Sequence, residues 1–375
     1  MITSNPILFT IICVFALQAM VLSGLLLFKR PRRTANTFLA LLVFFYALMA
    51  LNIVVVNVLK DQGLLYVFRY IQMEMLYGIG PALYFYTRCI TDPEFRFTRK
   101  HYVHFVPLVL EFLFYRTAIY RLGSDGLYLD EMPFQSYVYL TQQWIGVLSI
   151  LGYSFIALSL LIKYQNRLKD YYSKIDNRSL HWLQTPIFIY AGHQILWNIL
   201  TEIDRFAFDH ELRTYYFLPN FVILAIITCW IGFKGYVQKE RDIVHFKPDP
   251  KRVPHEEGQK DTAFLEKLEQ LMETERPYLN PDLNLSLLAD AMQMKPKALS
   301  SKINQNCDRN FYDLVNAYRI GAFKERLRSP DRDTLSLLGH AYECGFYSKS
   351  TFNHVFKKMT QQTPSEYLKQ LKKGS

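Results

Sequence analysis

The sequence predicts an all-α protein: a seven-helix integral membrane bundle followed by an all-helical domain built on two helix-turn-helix units. Five apolar stretches before residue 238 are each long enough to cross a bilayer, with two weaker ones among them. Basic residues are unequally shared between alternate connecting loops, as in chains that fix their orientation in a membrane. A seven-residue pattern near the C-terminus recurs fifty residues later.

At 375 residues the chain has room for two or three domains of roughly 100–200 residues each. Half of it is apolar and 20% charged, which excludes disorder, a collagen-like fibre and a disulfide-rich miniprotein. The average hides an asymmetry: Met1–Phe28 and Pro133–Ile162 carry no charge, whereas charges recur every few positions in the last hundred residues. The net charge of +10 divides into 20 Lys/Arg against 14 Asp/Glu in residues 1–238, 6 against 6 in 239–261, and 17 against 13 in 262–375. The basic surplus of the last region is compatible with a polyanionic partner. Cys13, Cys89, Cys229, Cys307 and Cys344 form no C-x-x-C pair, so neither a disulfide framework nor a zinc finger is expected.

A membrane span needs about 20 apolar residues, at ~1.5 Å rise each across ~30 Å of hydrocarbon. Pro6–Phe28, Thr37–Leu59, Trp144–Ile162, Trp182–Leu200 and Tyr215–Phe233 qualify, and His193 is their only ionisable side chain of the His, Lys, Arg, Asp and Glu types. Tyr70–Thr87 is weaker, with Glu74 inside it and Gly78, Gly80 and Pro81 marking a kink or an end. Val103–Tyr120 carries Glu111 and Arg116. The first stretch lacks a basic start and is too long for a signal peptide, so it reads as a retained span. Tyr84, Tyr86, Trp144, Trp182 and Trp230 sit near span ends, where aromatic side chains anchor at the interface.

Seven spans place Lys29, Arg30, Arg32, Arg33, Arg88, Arg96, Arg99, Lys100, Lys163, Arg167, Lys169, Lys174 and Arg178 on one side, 13 basic residues in three loops. The other side receives six, mixed with acids. Basic loops stay in the cytoplasm, so the N-terminus is expected outside and the C-terminal region inside. Five spans would strand the cluster from Arg88 to Lys100 outside; six would do the same to the C-terminal domain.

Lys239–Asp261 is dense in charge, contains Pro248, Pro250 and Pro254, and reads as a solvated linker. The expected organisation is therefore a membrane domain over 1–238, a linker over 239–261 and a third region over 262–375. Phe264, Leu265, Leu268, Leu271 and Met272 then mark one face of a helix. The repeat follows: Leu285-Ser286-Leu287-Leu288-x-x-Ala291 returns as Leu335-Ser336-Leu337-Leu338-x-x-Ala341. Asn284 and Thr334 precede the two copies, and both types can cap a helix. Each copy leads through a turn to a second helix anchored by Leu299 and Ile303, or by Phe352 and Phe356. Gly345 can supply a positive φ in the second turn and Ser348 a cap for the helix after it. Paired short helices of this kind are the helix-turn-helix unit.

Residues 262–371 resemble the DNA-binding domain of AraC/XylS-type transcription regulators. The second unit carries most of the resemblance: Ala341-Tyr342-Glu343-Cys344-Gly345-Phe346-Tyr347-Ser348-Lys349-Ser350-Thr351-Phe352-Asn353-His354-Val355-Phe356-Lys357-Lys358, then Thr363-Pro364-Ser365-Glu366-Tyr367. This is similar to the family's A-x-x-x-G-F-x-S-x-S-x-F-x-x-x-F-K-K and T-P-x-x-Y. Tyr278–Ala289 and Tyr318-Arg319 resemble the approach to the first unit and the middle of the linking helix. Three departures stand out: Asp308 and Gln361 replace glycines after the two recognition helices, and Lys295 replaces a capping serine.

The resemblance implies a bacterial transcription regulator that binds double-stranded DNA. It assigns groove-facing roles to Lys297, Ser300, Ser301 and Asn304 in the first unit, and to Lys349, Ser350, Asn353 and His354 in the second. Lys357, Lys358 and Arg309 are candidate phosphate partners, since a point charge suffices there. Arg319 reads as a structural pin for the linking helix. Glu74, Glu111 and His193, ionisable groups inside spans, are candidates for sensing an unknown signal ligand. The expected partners are thus DNA, the lipid bilayer, that ligand and a second copy in a homodimer. The expected location is the bacterial inner membrane. No nucleotide-binding glycine loop, nucleophile–base set or metal-ligand spacing occurs, so neither an enzyme nor a cofactor is expected. Two rivals stay open: a transporter or channel with a regulatory helix-turn-helix appendage, and a membrane signalling enzyme. The first needs an inverted repeat among the spans, the second nucleotide-binding and phosphoacceptor signatures.

Overall fold

A computed structural model describes residues 6–31, 33–61, 75–92, 94–114, 133–176, 178–208, 211–238, 261–330 and 334–374. Glu74 and residues 239–260 of the expected linker lie outside the described residues. The described residues form helices and no strand, and divide into two compact units, residues 1–162 with 180–248, and residues 163–179 with 249–375.

The first unit holds α1 (Pro6–Phe28), α2 (Thr34–Asp61), α3 (Leu76–Thr91), a 3-10 turn (Arg99–Phe105), α4 (Val106–Phe114), most of α5 (Pro133–Tyr171), α6 (His181–Ala207) and α7 (Arg213–Val237). Among the described residues four helices are long and apolar enough to cross a membrane: α1, α2, α5 and α7. Seven such spans were expected, and the physical reason for the shortfall differs from helix to helix. The described part of α4 is nine residues and α3 is sixteen, both shorter than a bilayer needs. By contrast α6 has 27 residues, but Gln184, Gln194, Asn198, Glu202, Asp204 and Arg205 dilute its apolar character.

Those polar groups are largely paired. Along the buried face of α6, the Gln194 amide donates to the Tyr190 hydroxyl at 2.7 Å, and Asn198 donates to the Gln194 carbonyl at 2.7 Å. Gln143 of α5 donates to the Asn198 side chain at 2.9 Å. Asp204, fully buried, accepts from the Leu212 amide at 2.8 Å and the Tyr216 hydroxyl at 2.7 Å, tying the α6–α7 turn. Buried polar groups satisfied in this way avoid the ~1–3 kcal/mol penalty of an orphan.

Gly78 and Gly80, expected at a kink or an end, lie next to the N-terminal end of α3. A Cβ at these positions would come within 2.6 Å of the Phe45 and Tyr153 rings respectively. Their missing side chains let α3 approach its neighbours closely, a device common among packed membrane helices. Pro81, expected at a kink or an end, is accommodated inside α3.

The second unit holds α8 (Thr262–Thr274), a 3-10 turn (Pro277–Leu279), α9 (Leu285–Ala291), α10 (Pro296–Asn306), α11 (Phe311–Arg328), α12 (Leu337–Glu343), α13 (Lys349–Thr360) and α14 (Pro364–Gly374). It also takes in residues 163–179, beyond the boundary expected near residue 262. Phe264, Leu268 and Met272 of α8 pack with Leu288, Leu299, Ile303, Phe311 and Val315 in one apolar core. Burying each such side chain contributes roughly 1.5–3 kcal/mol.

Side-chain caps fix most helix starts. Asp261 accepts from the Phe264 amide at 3.0 Å, Asn284 from Leu287 at 3.1 Å and Asn310 from Asp313 at 2.8 Å. In the second repeat the cap is Ser336, accepting from Gly339 at 3.0 Å, rather than the expected Thr334. The helix therefore starts two residues later than in the first copy, leaving Leu335 44% exposed where its counterpart Leu285 is buried.

Candidate nucleic-acid interface

The two helix-turn-helix units are α9–α10 and α12–α13, joined by α11. Leu299 and Ile303 of α10 are fully buried, as are Phe352 and Phe356 of α13. Both phenylalanine rings meet Phe323 of α11, with centroids 4.7 and 5.5 Å apart in edge-on geometry, which adds ~0.5–1.5 kcal/mol per pair beyond burial. Anchoring one face of α13 leaves Lys349, Ser350, Asn353, His354 and Lys357 exposed on the other. On α10, Lys297 and Ser301 are exposed and Ser300 and Asn304 half-buried.

Gly345 holds the α12–α13 turn at φ +87°, and any Cβ there would stand 2.4 Å from the Tyr278 carbonyl oxygen. Ser348 then caps α13 by accepting from the Thr351 amide at 3.2 Å. By contrast α10 starts without a side-chain cap; Pro296 at its first position presets the helical φ. Asp308 and Gln361, where the resemblance leads one to expect glycine, adopt φ 50° and 60°. The substitutions keep the left-handed geometry at the expense of local strain.

Arg319 is buried and pins α11, as expected. It donates to the carbonyls of Tyr278 and Asn280, each at 2.8 Å, and to the Ser173 hydroxyl at 3.2 Å. Burial lowers its pKa to about 10, which leaves it cationic at neutral pH. The Lys358 ammonium lies 2.9 Å from the Asp313 carboxylate of α11, while Lys357 and Arg309 are exposed.

The structure does not assemble the sensing candidates into one described site. Glu111 is buried, and its carboxylate accepts from the Tyr77 amide at 3.4 Å. His193 is half-buried with no hydrogen-bond partner at Nδ1. Glu74 lies outside the described residues. Among the described residues no group of His, Cys, Asp and Glu has metal-binding proximity.

Two helix-turn-helix units on one linking helix define the DNA-binding domain of a sequence-specific transcription regulator. The model of a helix-turn-helix domain family matches residues 288–370, and the match is of the AraC type. It covers both recognition helices and leaves α8 and the apolar helices outside. Neither a curated protein nor a solved structure matches the chain.

Sequence reasoning found the recognition helices and their inward anchors. It missed the involvement of residues 172–176, whose Ser173 and Asp176 touch Arg319 and the start of α13. The only signal in the sequence was a short polar stretch after an apolar helix, which reads as an ordinary loop.

Proposed function

We propose that the chain is a membrane-embedded transcription regulator of the bacterial inner membrane, which couples a membrane or periplasmic signal to gene expression. The observation that supports it is the presence, in one chain, of four helices long and apolar enough to cross a bilayer and an AraC-type helix-turn-helix domain. In this reading α3, α4 and α6 complete a seven-helix bundle, the polar side chains of α6 turned towards α5 and α7 rather than towards lipid. The basic loops support an outside N-terminus and a cytoplasmic DNA-binding domain. Glu74, Glu111 and His193 are the groups we assign to signal reception, and a homodimer would present two recognition surfaces to adjacent half-sites. No enzymatic step is part of this function.

Mapping genomic binding sites in cells that make the full chain, and in cells that make it with residues 1–162 and 180–238 removed but 163–179 kept on a soluble linker, tests the coupling. Discrete sites whose occupancy responds to growth conditions only with the full chain are expected. Identical, condition-independent maps would reduce the apolar region to an anchor.

A further inference from the structure

The segment after α5 is tied into the DNA-binding unit. Tyr172 forms an antiparallel bridge with Asn284. Ser173, almost wholly buried, donates to the Leu283 carbonyl at 2.5 Å and accepts from Arg319. The Lys174 ammonium lies 3.2 Å from the Asp282 carboxylate and 3.2 Å above the Tyr347 ring. Past Lys174, Ile175 is buried and Asp176 is exposed, and the Asp176 carboxylate accepts from the hydroxyls of Ser348, at 3.1 Å, and Thr351.

Ser348 caps α13, so this carboxylate sits at the end of the recognition helix where the helix dipole and free amides favour an anion. A recognition helix enters the major groove with its N-terminal residues against base edges and with phosphates near its start. Asp176 thus occupies the place of a phosphate oxygen and would repel one brought there.

We propose that residues 172–176 are an internal competitor for DNA: a strap whose base is fixed to Arg319 and Leu283, and whose tip, Asp176, masks the start of α13 until displaced. The proposal rests on the DNA-binding reading. The base is buried and stays; the Asp176 carboxylate meets α13 only through exposed bonds, which are individually weak and exchange readily with water. The strap leads directly from α5, so a change in that helix has a covalent path to the recognition helix.

The test uses the full-length chain in lipid nanodiscs and a randomised duplex library. After selection, affinity for the retained duplex is measured by fluorescence anisotropy for the parent, Asp176→Ala, Lys174→Ala and Glu266→Ala. Asp176 is exposed, so its replacement leaves the core intact. Asp176→Ala should bind about tenfold more tightly, the scale of one lost charge-assisted hydrogen bond. Lys174→Ala should also gain affinity although it removes a cation, because it loosens the strap. Glu266→Ala, which deletes an exposed carboxylate on α8, should change little and so controls for net charge. Equal or weaker binding by Asp176→Ala, or an equal gain from Glu266→Ala, would overturn the competitor. If the parent and every variant retain no duplex, the DNA-binding reading falls and takes this proposal with it.

Discussion

At the scale of single residues, position on α13 separates base readout from phosphate attraction. Asn353 lies on the exposed face one turn after Lys349, where its amide can pair bidentately with adenine. Lys357 is a turn further, where the DNA backbone is the nearer target. Asn353→Ala is expected to cost ~1–3 kcal/mol on the preferred duplex and to relax selection at one or two base pairs. Lys357→Ala should weaken all duplexes alike and reduce the salt slope by about one; binding titrations over a salt series distinguish the two. Gln361 offers a second test, because its left-handed φ of 60° is strained for any residue but glycine. Gln361→Gly should stabilise the unit by about 1 kcal/mol, seen as slower hydrogen exchange in α13 and α14. The inward anchors were legible because helical spacing fixes which positions share a face. The choice of Ser336 over Thr334 as cap was not, since both hydroxyls satisfy the same local rule and backbone geometry decides between them.

At the scale of elements, α14 shows how the T-P-x-x-Y signature works. Thr363 Oγ1 accepts from the Glu366 amide at 3.3 Å, and the Glu366 carboxylate accepts from the Thr363 amide at 2.7 Å, a reciprocal cap with Pro364 at the first helical position. The Tyr367 ring then packs 5.6 Å from that of Phe356, docking α14 on the recognition helix. The Thr363 amide holds the Glu366 carboxyl below its usual range, and the Lys302 ammonium, with the Phe264 amide, does so for Asp261. Depressed folded-state pKa values favour the fold above the unfolded values of about 4.3 and 3.9, and the benefit is lost as pH falls through the lower folded values. Asp261→Asn with Glu366→Gln should therefore lower protection of α8 and α14 amides near neutral pH. Against the parent, the deficit should shrink below about pH 4; comparing exchange at both pH values checks it. Among the apolar elements, composition identified α1, α2, α5 and α7 without ambiguity. It marked Trp182–Leu200 of α6 just as clearly, although the polar side chains of that helix find partners only in the tertiary structure.

For the whole molecule, orientation is the sharpest expectation. The 13 basic residues on one side of a seven-span arrangement imply a cytoplasmic C-terminus. Alkaline phosphatase fused after Lys239 should be inactive, and fused near Asp125 active; activity at the C-terminal fusion would overturn the regulator. The division into an apolar and a charged region was plain from composition, and the repeat located both recognition helices. The membership of residues 163–179 in the second unit was not legible. Contacts such as Ser173 with Leu283 join positions 110 apart, and no local pattern encodes them.

Because the second unit borrows residues 163–179 from the middle of the chain, the polypeptide passes between the two units three times. A single cut within 239–260 would sever one of these three connections and leave the two that flank residues 163–179. The recognition helices would remain hooked, through Ser173, Lys174 and the Arg319 guanidinium, to a segment continuous with α5. Shedding by proteolysis thus takes two events in series, a broken peptide bond and an undocked strap, and neither alone frees the recognition helices.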